Sequence, residues 1–164
     1  PMKWWVKDPD FDREISVKFK EIHHKANQGE LAHWRKSPQG RLAEIIVLDQ
    51  FSRNMYRDSF KAFGSDNIAL ILAQEAISVG ADKELEPIEK SFMYMPFMHS
   101  ESLVIHEQAV LLYEANGIAN NLEFEMKHKE IIERFGRYPH RNALLNRIST
   151  PEEVEFLTLP NSSF

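Results

Sequence analysis

The segment FGRYPHRNALLNR (Phe135 to Arg147) gathers Arg137, His140, Arg141, Asn142 and Arg147 around one aromatic turn, just after Arg134. Such a density of directional donors suits either a site for a carboxylate or phosphate or a buried polar network. Tyr138-Pro139 fixes the turn, and a helix starting there would offer free amides and a positive dipole end to an anion. A second group is Asp49, Gln50, Arg53, Asn54 and Arg57. Asp49 with Arg53 and Gln50 with Asn54 stand at i, i+4, so each pair lies along one helix surface. Asp49 either forms an ordinary intrahelical salt bridge or orients Arg53 so that its planar fork meets an anion. The third group is His99, Ser100 and Glu101, with His106 and Glu107 beyond. A histidine beside a carboxylate can act as a general base, so His99 and Glu101 are the catalytic candidates. The alternative is that both bond free backbone groups at helix ends.

Other chemistry is absent from the sequence. There is no glycine-rich phosphate loop, GxSxG elbow, HExxH or dinucleotide fingerprint. No cysteine is present, which removes disulfides, thiolate metal sites and cysteine nucleophiles. The His99–Glu101 spacing fits no zinc pattern, and Met93, Met95 and Met98 read as core filler, so neither metal nor cofactor is expected. A net charge of -5 argues against nucleic acid and anionic membranes as partners. Apolar runs such as Ile68 to Leu72 fall far short of the ~20 residues that span a bilayer, and MKWWVKDPD is too polar for a signal peptide. These features point to a cytoplasmic protein.

The elements that must position these groups are written as helix punctuation. Asp8-Pro9 opens a helix with Phe11, Ile15, Phe19, Ile22 and Ala26 on one face, ending near Gly29. Ser37-Pro38 opens a second, apolar nearly all round and therefore central. Asp66 is expected to cap a third that ends at Gly80, and Glu86-Pro87 opens a fourth that Pro96 should end or kink. Ser102 starts a fifth, ending near Gly117, and Asn121 a sixth, ending at Gly136. Thr150-Pro151-Glu152-Glu153 is a capping box before a further helix. His23, His24 and His33 read as surface or groove residues. No stretch alternates with period two, so the fold class is all-α, one helical domain over residues 1–164 built from antiparallel helix hairpins. Asp66 to Val79 pairs with Pro87 to Phe97, and Ser102 to Asn116 with Leu122 to Phe135. The pairs start about 35 residues apart, near the period of tetratricopeptide-like arrays. In the second hairpin the acidic segment Glu101 to Glu125 faces the basic run Lys127 to Arg147, which predicts mutual neutralisation.

LDQFSRNMYR (Leu48 to Arg57), FGSDNIAL, FMYMPFMHSE (Phe92 to Glu101), HKEIIERFGRYPHRN (His128 to Asn142) and STPEEVEFL with the SSF ending occur in that order. Together they resemble the bacterial Domain of Unknown Function 924 family over nearly the whole chain. The resemblance implies an all-helical, tetratricopeptide-like right-handed array and no particular reaction. It also implies a further aromatic-rich helix before PMKWW, so a groove that such a helix would cover is expected here.

The sequence therefore predicts a helical binding or scaffold protein. Its candidate ligand site is Asp49, Arg53, Asn54, Arg137, His140, Arg141 and Asn142, with His99 and Glu101 in the same polar pocket. The partner is a small anion or a protein or peptide segment. The alternative is a hydrolase-type enzyme using His99 and Glu101, directly or with a metal. Trp4, Trp5, Trp34 and Phe97 add aromatic area that predicts a homodimer or a partner helix.

Overall fold

The structure is a computed structural model that describes residues 7–160 and 162. Trp4 and Trp5 lie outside the described residues. Among those described, the chain is all-α, with seven α-helices and no strand. It divides into two compact units, Pro1–Pro96 and Phe97–Phe164.

In the first unit, α1 (Pro9–Asn27) begins where the Asp8 carboxylate accepts from the amides of Asp10 and Phe11, with Pro9 occupying a position that needs no donor. Its apolar stripe packs on α2 (Pro38–Met55). Ile15 and Ala26 are buried with Val47, Leu48 and Phe51, and the Phe19 and Phe51 rings lie 4.7 Å apart. Helix α2 also packs on α3 (Asp66–Ser78), so it is central, as its composition predicts. Ala69, Ala73 and Ala76 are fully buried on one face of α3, and their small side chains allow the two helices to approach closely. Gly40 permits another close approach. A Cβ there would stand 2.0 Å from the carbonyl oxygen of Trp34, in the 3₁₀ turn Ala32–Lys36.

One boundary in this unit differs from expectation. Asp66 is the first residue of α3 instead of its cap, because its carboxylate is taken by Arg53; Ser65 precedes it and donates to Asn27 Oδ1 at 2.8 Å. Pro96 lies inside α4 (Pro87–Met98), which closes two residues later. So near the C-terminus a proline removes one helical bond from a turn that is already ending.

In the second unit, α5 (Leu103–Asn116) and α6 (Ala119–Phe135) pack as the expected hairpin. Helix α6 starts before Asn121, after Ile118. Gly117 and Gly136 close α5 and α6 with φ of +77° and +67°, a conformation that glycine adopts without a Cβ clash. The helix expected after Tyr138-Pro139 is only a 3₁₀ turn, Pro139–Arg141, too short to carry an N-terminal anion site. Helix α7 (Pro151–Phe156) starts with the predicted capping box: Thr150 and Glu153 exchange side-chain bonds with each other's amides. Ile131, Ile132 and Tyr138 form a core with Phe135 and Phe156. Phe97 is buried and Trp34 packs against the first unit's core, so neither supplies the exposed aromatic area expected of it.

Candidate functional site

Arg53 and Asn54 belong to the first unit, and His99, Glu101, Arg137, His140, Arg141 and Asn142 to the second. In the first, Asp49 is buried and lies 3.2 Å from Arg53 Nη1, the expected i, i+4 pair. Arg53 also spans the Asp66 carboxylate with both terminal nitrogens, at 2.8 and 3.0 Å. Its fork is thus matched to a carboxylate of the chain itself. Gln50 donates to Asp49 and approaches Met95 Sδ, while Asn54 donates to Asp12 Oδ1 at 2.8 Å. Arg57 closes on the same Asp12 in bidentate fashion, and its hydrogen bonds hold that carboxyl below the usual range. Arg35 and the buried Glu44 repeat the motif at 2.7 Å for both bonds. His23 is not a surface residue: its Nε2 meets Ser52 Oγ at 2.7 Å, and burial lowers its pKa.

In the second unit Tyr138 is the hub. Its hydroxyl donates to the Met98 carbonyl and lies 3.2 Å from His106 Nε2. Its amide donates to Glu101 Oε1, the Arg141 guanidinium stands 4.5 Å above its ring, and the His140 ring is 5.5 Å away. Arg141 donates to the carbonyl of His99 at 3.0 Å. Glu101 is spanned by Arg147 at 2.8 and 2.7 Å. Burial would raise the pKa of Glu101, but the Arg147 bonds and the Tyr138 amide outweigh it and hold the carboxyl below its ordinary value. Arg137 and Asn142 converge instead on Glu153, whose pKa falls to about 2, chiefly through the Arg137 hydrogen bond.

Expected neutralisation between the acidic and basic segments holds at Arg147 with Glu101 and at Lys127 with Glu123, and Lys129, Arg134 and Arg137 find partners outside the acidic segment. Lys127 and Lys129 pair with Glu123 and Glu133 one turn away on α6, and Arg134 and Arg137 pair with Glu152 and Glu153 of α7. Pairs one turn apart on a helix need no alignment of two elements, which favours them over partners on α5.

The residues that spacing did not single out as a pair are His106 and Glu125. Both are fully buried, with His106 Nδ1 2.7 Å from Glu125 Oε1 and His106 Nε2 2.8 Å from the Ser100 carbonyl. Their signal was periodicity. His106, Ala109 and Tyr113 share the inward face of α5, and Glu125, His128 and Ile132 that of α6. His128 is also buried; its Nδ1 bonds the Phe124 carbonyl at 2.7 Å, and burial takes its pKa down to about 3. Among the described residues no three His, Asp or Glu side chains are placed to hold a metal, and no helix is long and apolar enough to cross a membrane.

A family model described as "Bacterial protein of unknown function (DUF924)" matches residues 1–161. The chain belongs to this family. This DUF924 protein is also similar to a solved structure of a protein of unknown function from Agrobacterium tumefaciens. The two are 37% identical, with a TM-score of 0.92 over 96% of this chain and 89% of the other. No curated protein matches the chain.

Proposed function

We propose that this DUF924 protein is a helical binding module whose partner is a protein segment. The observation that carries the reading is the outward face of α3, where Ile68 and Ile71 are exposed within one arc of the helix and the exposed C-cap residue Val79 follows at its end. Glu75 lies in the middle of that arc and is paired with Arg41, so a partner would meet apolar side chains with little local charge to displace. The state of the arginines supports a protein segment over a small anion. An anion would have to displace Asp66 from Arg53, Glu153 from Arg137 or Glu101 from Arg147, each a charge-assisted bidentate pair. A tetratricopeptide-like use of packed helix pairs to present such faces fits the same reading.

A photo-crosslinking amino acid placed at Ile71 in bacterial cells tests it, with exposed Lys36 as the control position. A discrete protein adduct from position 71 and none from 36 is expected. Identical patterns at both positions would overturn the reading. So would a rise in melting temperature with phosphates or carboxylates that Arg53→Lys abolishes, since that result would put a small anion in the partner's place.

A further inference from the structure

Helix α5 has two unlike faces. His106, Ala109 and Tyr113 point inward, while Val104, Glu107, Gln108, Leu111, Glu114 and Ala115 are exposed on the other side. Val104 and Leu111 stand two turns apart on the same line and are 62% and 66% exposed. Neither Glu107 nor Glu114 enters an ion pair among the described residues. That sets them apart from Glu44, Glu101 and Glu153, each matched to an arginine. The segment from Glu101 to Glu125 has no lysine or arginine with which to match them. This surface is therefore an apolar line bordered on one side by Glu107 and Glu114, which have no ion pair among the described residues, and on the other by Gln108 and Ala115.

Resting on the binding-module reading above, we infer that the exposed face of α5 receives an amphipathic partner helix that carries apolar residues one and two turns apart and lysine or arginine along the border that meets Glu107 and Glu114. The apolar line supplies anchors in the helix-on-helix mode, and the glutamates select the sign of the rim. An antiparallel two-fold contact with a second copy through this face would lay one copy's glutamate rim along the other's, so charge favours a different chain.

The test uses two labelled synthetic helices of identical leucine spacing, one bordered by lysine and one by glutamate, with fluorescence anisotropy as the readout. The intact protein is expected to bind the lysine-bordered helix, more weakly as salt rises. Val104→Gln with Leu111→Gln should weaken it about tenfold or more, and Glu107→Lys with Glu114→Lys should reverse the preference to the glutamate-bordered helix. All four positions are exposed, and circular dichroism should show unchanged helicity. Failure of the intact protein to bind the lysine-bordered helix would overturn the inference, as would equal binding by all variants. Self-association that Leu111→Gln abolishes would overturn it too, by identifying a second copy as the occupant. The Ile71 crosslink is independent of α5, so loss of this inference with that adduct intact leaves the binding-module reading standing.

Discussion

His106 Nδ1 and Glu125 Oε1 lie 2.7 Å apart with neither side chain exposed at all. The Ser100 carbonyl can only accept, so His106 Nε2 carries a proton. A second proton must then sit between Nδ1 and the carboxyl, because two acceptors at that distance would repel. Burial raises the pKa of Glu125, against the opposing pull of His106, which favours keeping that proton on the pair. Glu125 Oε2 has no partner, a cost that is smaller for a carboxylic acid than for a carboxylate.

Glu125→Gln should therefore fold, because a neutral amide can donate to Nδ1 in the acid's place. The sign of the pH effect follows from the raised pKa: the native state binds this proton more tightly than the unfolded chain. The group's contribution is complete below the ordinary carboxylate pKa and is lost as pH rises through the folded value. Denaturant titrations at a series of pH values should show the wild type losing stability relative to Glu125→Gln as pH rises above about 4.3. A pH-independent difference between the two proteins would contradict the assignment of the proton.

Acid should act in the opposite direction through His128. Its pKa of about 3 lies below the usual histidine value, so the unfolded state binds more protons between the two. Stability is lost as pH falls through that window. His128→Asn, which retains a donor for the Phe124 carbonyl, should reduce the wild type's acid sensitivity between about pH 6.5 and 4. Glu153, with its pKa near 2, loses its contribution only at more acid pH, below the ordinary carboxylate pKa. Melting temperatures measured across pH separate the two.

How much of this was legible in the sequence depends on how local each cause is. Asp8 before Pro9, and Thr150 with Glu153, were readable because cap and helix lie within a few residues. The sequence makes Asp66 a cap, but its partner, Arg53, comes from another helix, and no local rule announces that competition. The same holds for the candidate site. The sequence marks the arginines as directional donors, but Glu101 for Arg147 and Glu153 for Arg137 are supplied by distant or separately capped segments. Periodicity could place His106 and Glu125 on inward faces, but could not bring them to one another.

Arg141→Ala tests whether the Tyr138 hub is structural. Arg141 is nearly buried, donates to the His99 carbonyl at 3.0 Å and lies over the Tyr138 ring. Truncation removes a charged hydrogen bond and a cation–π contact, so a loss of about 3 kcal/mol is expected by chemical denaturation. A change within about 0.5 kcal/mol, the range of ordinary surface substitutions, would mean that the guanidinium is not part of the fold's support.

Gly40→Ala is the sharpest test of the first unit, because two effects predict opposite signs. Alanine is the better helix former by about 1 kcal/mol, so on propensity alone the change should stabilise α2. But the new Cβ would lie 2.0 Å from the Trp34 carbonyl oxygen and 2.8 Å from its carbon, both of them backbone atoms that no rotamer change can move. The Ser37 hydroxyl that caps α2 by accepting from the Gly40 amide lies 3.1 Å from the same point, so relief by shifting the helix start would cost the cap. Overpacking of this kind costs about 1–3 kcal/mol and should win. The expected outcome is a lower denaturation midpoint with an unchanged slope; a raised midpoint would show that the 3₁₀ turn Ala32–Lys36 can move away from α2 at little cost.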